Sequence, residues 1–335
     1  MTYKNKVIAL SSAFAALLLV YAASLIFSPE RSLARAETGK IFSGKEADVA
    51  EVDLDGIPQG SVPIQQGGGQ NAEKISMLFK KSGSDWSLEE DGASLPALPA
   101  RISSLVSAVA KVKSLSPRSG SESSWASFGL AGGSARHVVL KDKAGKVLAD
   151  FYAGSYSATG SEIYLRLAGK PEVYAADAEL GSYLESSRAS WLNRALFKNE
   201  IKTDDVQSIE FSSTLNLSAL TAQNAAAVKA PAPVAYTATR SGSSWTVKGA
   251  AVDPQSVAGI VRSGLSLEGD DMFAAAPPEA FEKIPIGIVF HMGDGQSLKL
   301  EIGSRAGSSG LYWARSSASP FVFQVSIYGI AGLLR

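Results

Sequence analysis

The chain has 335 residues, with 32 basic and 32 acidic side chains, a balance that leaves no electrostatic footprint for nucleic acid. Charged residues make up 19% of it, below the roughly 25% of ordinary soluble domains. Cysteine is absent, which excludes disulfides, thiolate-bound zinc, iron–sulfur clusters, a thiol nucleophile and lipid attachment through an N-terminal cysteine.

Residues 7–27 read VIALSSAFAALLLVYAASLIF, an apolar run of about the 20 residues that cross a bilayer core. Lys4 and Lys6 precede it. A secretory signal carries a shorter apolar region of roughly 7–15 residues, so the run reads as a retained signal anchor. Cleavage is the competing reading, because Ala34-Arg35-Ala36 fits a small-x-small site. Arg31 and Arg35 nearly cancel the basic residues on the other side, so charge alone does not orient the span. A lone N-terminal span ahead of a long soluble remainder delivers that remainder outside the cytoplasm. The expectation is a single-pass protein of the inner, cytoplasmic membrane: residues 1–36 form the anchor and the bulk of the chain is extracytoplasmic.

Residues beyond 36 read as one domain written twice, over 37–190 and 191–335, in keeping with a length that suits two cores. Each half opens on a strand, at 48–54 with Val49, Val52 and Leu54 apolar, and at 205–211 in the same way. Each then carries a flexible insert, 59–72 with its Gly67-Gly68-Gly69 run and the Ala- and Pro-rich 216–234, which read as exposed hairpin loops. A strand follows and leads to a tryptophan, Trp86 or Trp245, that an alternating strand assigns to the core.

The apolar period then changes from 2 to 3.6. Leu98, Ile102, Leu105, Val106, Val109 and Val112 form one helical stripe, and Val257, Ile260, Val261 and Leu265 the other, with Asp253 as N-cap and Pro254 in the first turn. A hairpin follows in each half, 138–141 with 147–153 and 286–290 with 297–302. In the second, Leu298, Leu300 and Ile302 alternate with Lys299 and Glu301, the mark of a sheet with one solvated face.

The clearest repeat comes next. Residues 154–174, GSYSATGSEIYLRLAGKPEVY, are answered by 303–323, GSRAGSSGLYWARSSASPFVF, and each half closes on a short helix at 178–186 or 327–334. Gly154 and Gly160 are assigned turn geometry at positive φ. Residues 187–194 are a short joint between the halves. The fold expected is therefore α+β: strand-rich antiparallel sheets with packed helices, in two tandem copies of one domain after an N-terminal transmembrane helix.

Taken together, the N-terminal span, the Trp86-Ser87-Leu88 strand before an apolar helix, Phe128-Gly129-Leu130, Gly154 with Tyr164-Leu165-Arg166, and an arginine-containing joint resemble the family of domain of unknown function 4340. The resemblance runs over nearly everything after residue 37. It implies no established activity, and it implies a partner among transporter-like or gliding-machinery-like membrane systems driven by ATP. The second half departs from the pattern at Tyr312-Trp313-Ala314-Arg315, where the extra residue puts Arg315 on the strand face opposite Tyr312.

The chemical inventory is bare. His137 and His291 occupy different places in the repeat and lack ligands at metal spacing, so no metal and no cofactor is expected. There is no Gly-x-Ser-x-Gly elbow, no Ser three residues before a Lys, and no phosphate loop, so no catalytic residue is assigned. Glu89-Glu90-Asp91, Asp204-Asp205 and Asp270-Asp271 sit at turns, where solvated acids are ordinary. Tyr164 and Arg166 point to one face of their strand, an aromatic beside a guanidinium that suits an anionic or peptide ligand. Tyr312 and Arg315 are their candidates in the second half. The reading is a membrane-anchored binding or scaffold protein with a membrane-protein partner. The alternative is a cell-wall or glycan hydrolase using two carboxylates in a cleft between the lobes.

Overall fold

The computed structural model describes residues 14–21, 40–58, 74–112, 115–197, 200–215, 232–307 and 310–334. Most of the apolar run at 7–27, the Ala34-Arg35-Ala36 site and nearly all of the two inserts therefore lie outside the described residues. Of the run, 14–21 is helical, and Phe14, Leu17, Leu18, Leu19, Val20 and Tyr21 are exposed. No helix among the described residues is long and apolar enough to cross a membrane.

The described chain is α+β, made of strand-rich antiparallel sheets and a few helices. It divides into two compact units, one of residues up to Trp86 with Leu98–Arg188, the other of Ser87–Ala97 with Ala189–Arg335. The first sheet contains β1 (Val49–Pro58), β2 (Lys74–Ser82), β3 (Asp85–Glu90), β4 (Ala93–Pro96), β5 (Ser116–Ser119), β6 (Arg136–Asp142), β7 (Val147–Tyr156), β8 (Glu162–Leu167) and β9 (Val173–Asp177). Their order is β4-β3-β2-β1-β6-β7-β8-β9-β5. The second sheet contains β10 (Val206–Ser213), β11 (Val234–Ser241), β12 (Ser244–Lys248), β13 (Asp271–Phe273), β14 (Ile286–Met292), β15 (Ser297–Ala306), β16 (Leu311–Ser316) and β17 (Val322–Ser326). Its order, β12-β11-β10-β14-β15-β16-β17-β13, repeats that of the first sheet apart from β4.

Helices occupy matching places in the two series: α1 (Pro99–Lys111) and α2 (Glu179–Leu184) in the first, α3 (Pro254–Leu265) and α4 (Ile327–Ala331) in the second. Each long helix starts on a proline, whose missing N–H is lost at no cost in the first turn. Asp253 caps α3 by accepting from the Gln255 N–H at 2.9 Å. The buried stripes are Ile102, Leu105, Val106, Ala108 and Val109 on α1, and Val257, Ile260, Val261, Gly264 and Leu265 on α3. Gly264 lets α3 settle on the Phe290 ring of β14, because a Cβ there would sit 2.6 Å from Cζ. Trp86 and Trp245 are both buried.

Even the irregularities recur. β1 slips register against β6 between Val49 and Glu51, and β10 slips against β14 between Val206 and Ser208. A second bulge separates Ala153 from Tyr156 on β7 and Ile302 from Arg305 on β15. Inside that second bulge stand Gly154 and Gly303. Gly160 has the expected left-handed φ of 71°, but Gly154 does not have a positive φ. What Gly154 supplies is room: a Cβ there would overlap the carbonyl oxygen of Phe128, at the end of the 3-10 turn Glu122–Phe128. A Cβ on Gly303 would overlap the Ala280 carbonyl of the 3-10 turn Pro278–Phe281 in the same way. Both turns lie across a strand at the one residue that lacks a side chain.

This predicts an asymmetry among alanine substitutions. Gly154→Ala and Gly303→Ala should each lose about 2 kcal/mol or more in urea denaturation, because backbone must move. Gly160→Ala meets open space and should lose about 1 kcal/mol, the cost of its left-handed φ alone. Equal losses at all three positions would contradict the crossing.

Candidate functional site

Strand pairing lines up side chains across neighbouring strands, and in the first unit it builds one continuous row. Asp55 on β1 pairs with His137 on β6, His137 with Tyr152 on β7, and Tyr152 with Arg166 on β8. The alternation of strand side chains puts all four on the face that carries Gly154 and the 3-10 turn. The turn contributes Trp125, held by its indole N–H donating to the Pro171 carbonyl at 3.0 Å.

Arg166 is consequently enclosed by rings. Its Cζ lies 4.1 Å from the Trp125 ring centroid and 3.7 Å from that of Tyr152. Tyr152 in turn stacks on His137, with centroids 4.1 Å apart and planes 4° from parallel. His137 Nε2 is 2.7 Å from Asp150 Oδ1. The Arg166 Nε is buried and has no hydrogen-bond partner among the described residues. Tyr164, next on the same face, meets Phe128 edge-on at 4.7 Å.

The same row in the second unit runs Ser212, Gly287, Glu301 and Arg315. Arg315 therefore holds the register position of Arg166, and Glu301 that of Tyr152. Phe281, from the second 3-10 turn, lies 4.3 Å from the Arg315 Cζ, as Trp125 does from Arg166 in the first unit. Glu301 is 7% exposed. It accepts from Arg315 Nε at 2.6 Å and is also paired with Lys299. Burial pushes its carboxyl up, but hydrogen bonds and charge from Lys299 and Arg315 outweigh that and hold it below the usual carboxylate range.

Of the four residues the sequence singles out, Tyr164 and Arg166 share a face as expected. Tyr312 does not join Arg315. It is buried on the opposite face, where Arg305 Nε donates to its hydroxyl at 3.0 Å. No extra residue separates the halves at this point. Gly154 to Arg166 and Gly303 to Arg315 are equally spaced, so the counterpart of Tyr164 is Trp313, which meets Phe273 edge-on at 5.5 Å. Sequence reasoning also missed Trp125 and Tyr152, the two rings that define the environment of Arg166. The signal available was that equal spacing, which aligns Tyr152 with Glu301 two residues before each glycine.

The acidic groups at turns have local duties. Glu89 accepts from Ser87 and Ser94 at 2.8 and 2.9 Å, and Asp91 takes a left-handed φ of 50° in the β3–β4 turn. Asp204 pairs with Arg240 at 2.7 Å, and Asp205 accepts from the Lys202 N–H. Asp270 accepts from the Ser326 N–H, and Asp271 from that of Met272. Asp53 lies between Glu51 and Asp55 on β1; burial pushes its carboxyl up, against the charges of Lys141 and His137. Among the described residues no group of three or more His, Cys, Asp or Glu is arranged to hold a metal ion.

The model of a family described as domain of unknown function (DUF4340) matches residues 86–280, from the core Trp86 to the second 3-10 turn. That is more than half of the chain, and the chain belongs to this family. No curated protein and no solved structure matches it.

The Glu301 pair makes a signed prediction. A carboxyl held below its ordinary value contributes stability that is present above pH 4.5 and lost as pH falls through its folded value. Arg315→Met should cost about 1 kcal/mol at pH 7, because it removes one of the two cations on a buried carboxylate and leaves Lys299, and should make the acid limb of the stability curve shallower. An unchanged acid limb in pH-dependent denaturation would contradict the pairing.

Proposed function

We propose that this chain is a membrane-anchored, extracytoplasmic binding or scaffold protein without enzymatic activity, built from two copies of one domain and accessory to an ATP-driven transport complex. One observation carries the reading: an arginine faced by an aromatic ring occurs at the same register position of both sheets, on the face crossed by the 3-10 turn. Aromatic–guanidinium surfaces make contacts, and among the described residues neither arginine stands beside a nucleophile with its own base. The shared strand order and paired bulges support duplication of a frame. The apolar run at 7–27 supports the anchor.

Affinity purification from membranes in gentle detergent, after crosslinking, should recover membrane proteins at stoichiometric amounts. Recovery of a clean monomer would overturn the scaffold reading. Topology has its own test, because the chain contains no native cysteine. Ala144→Cys, in the exposed turn between β6 and β7, should react with a membrane-impermeant maleimide in cells whose outer barrier alone is permeabilised. Labelling only after rupture of the inner membrane would place the bulk of the chain in the cytoplasm.

A further inference from the structure

We propose that Arg166 is a binding site for a single carboxylate group carried by a peptide partner, a proposal that rests on the binding reading above and names the ligand chemistry of one of its two rows. The second unit shows what an arginine at this position takes. Arg315 receives a carboxylate, Glu301, from the paired position on the neighbouring strand. The first unit has Tyr152 at that position, so the corresponding guanidinium keeps its place over the strand and lacks its acid.

Neighbouring cations sharpen the contrast. Arg118 is paired with Glu162 at 2.6 Å, Arg136 with Glu185 at 3.4 Å, and Lys141 with Glu51 at 2.6 Å. Among the described residues Arg166 has no ion pair, and its buried Nε has no acceptor. Trp125 and Tyr152 cover the guanidinium at 4.1 and 3.7 Å. Rings on the guanidinium and a buried Nε leave the terminal Nη1 and Nη2 N–H groups as the route of approach, an edge that a planar carboxylate fits with two parallel hydrogen bonds. The rings also lower the local dielectric, which strengthens such a pair relative to one in open water.

Charge elsewhere on the face selects among anions. Asp55 ends the same row and Asp150 adjoins it through His137. Two acids nearby penalise a dianionic phosphate, a nucleic acid or an anionic lipid surface more than a monoanionic carboxylate. Phe128 and Tyr164, beyond Arg166 on the turn side, offer apolar and aromatic surface to the residue that bears the carboxylate.

The test uses the full chain in detergent micelles with 15N-labelled arginine, the Arg166 Nε–H resonance being assigned from its absence in Arg166→Lys. Three probes are titrated: a tripeptide with a free C-terminal carboxylate, the same tripeptide amidated, and an amidated tripeptide with an internal glutamate. Inorganic phosphate is the fourth. The site predicts a saturable shift of the Arg166 resonance with at least one carboxylate probe, none with the plain amide, and at least about tenfold weaker binding of phosphate. The two carboxylate probes decide between a chain terminus and an acidic side chain as the source. Tyr152→Glu, which restores the arrangement of the second unit, should abolish the shift while leaving the fold intact. Binding of the amide equal to that of the carboxylates, stronger binding of phosphate, persistence of the shift in Tyr152→Glu, or no shift with any probe would each overturn the site. If Arg166→Lys recovers the same membrane partners as the wild type, the carboxylate site fails and the scaffold reading stands. If the wild type itself recovers no partner, the scaffold reading fails whatever the tripeptides do.

Discussion

The crossing of a 3-10 turn over a strand at a residue without a side chain is the constraint on which both units are arranged. Gly154 and Gly303 leave no space for a Cβ, because the Phe128 and Ala280 carbonyls already occupy it. That contact fixes the height and direction of the turn. The turn then fixes the ring it carries, Trp125 in one unit and Phe281 in the other, over an arginine on the second strand. Adjacent bulges at Ala153/Tyr156 and Ile302/Arg305 take up the extra length and set which residues share the arginine's row. Local geometry at two glycines thus decides the chemistry of a surface several residues away.

On that common frame only the arginine of the row is shared, and of the three positions that differ the one paired with it, Tyr152 or Glu301, bears on it directly. Glu301 closes its arginine internally, a buried carboxylate shared between Arg315 and Lys299. Tyr152 covers the face of its arginine, whose Nε has no hydrogen-bond partner among the described residues. Cation–π contact with two rings is worth roughly 0.5–2 kcal/mol per ring, enough to hold the guanidinium in place without neutralising it. A positioned and uncompensated cation is suited to recognition, whereas a paired one is suited to structure.

Much of the frame was legible from residue patterns. Alternation picked out the long strands, the 3.6 period picked out α1 and α3, and Asp253 with Pro254 marked a helix start that the structure has. Three elements left no pattern to read. β5 is the four residues SPRS with a proline inside, β13 is the three residues DMF, and neither is long enough to show a period. The 3-10 turns have buried contacts through backbone carbonyls and so write little into side-chain hydropathy. At the candidate site, Tyr164 and Arg166 could be placed on one face from spacing alone. Tyr312 was paired with Arg315 because it is a tyrosine, when register makes Trp313 the counterpart. The rings around Arg166 come from another strand and a distant turn, and only strand pairing brings them together.

Ring-current shifts of the Arg166 side-chain protons measure the central arrangement most directly, since they report ring faces within a few ångströms and nothing else in the chain. Stacking between Trp125 and Tyr152 predicts strong upfield displacement of the Arg166 Cδ and Nε protons, reduced in part by Trp125→Leu and in part by Tyr152→Leu. Side-chain protons at ordinary solvent-exposed arginine positions, unmoved by either substitution, would contradict it.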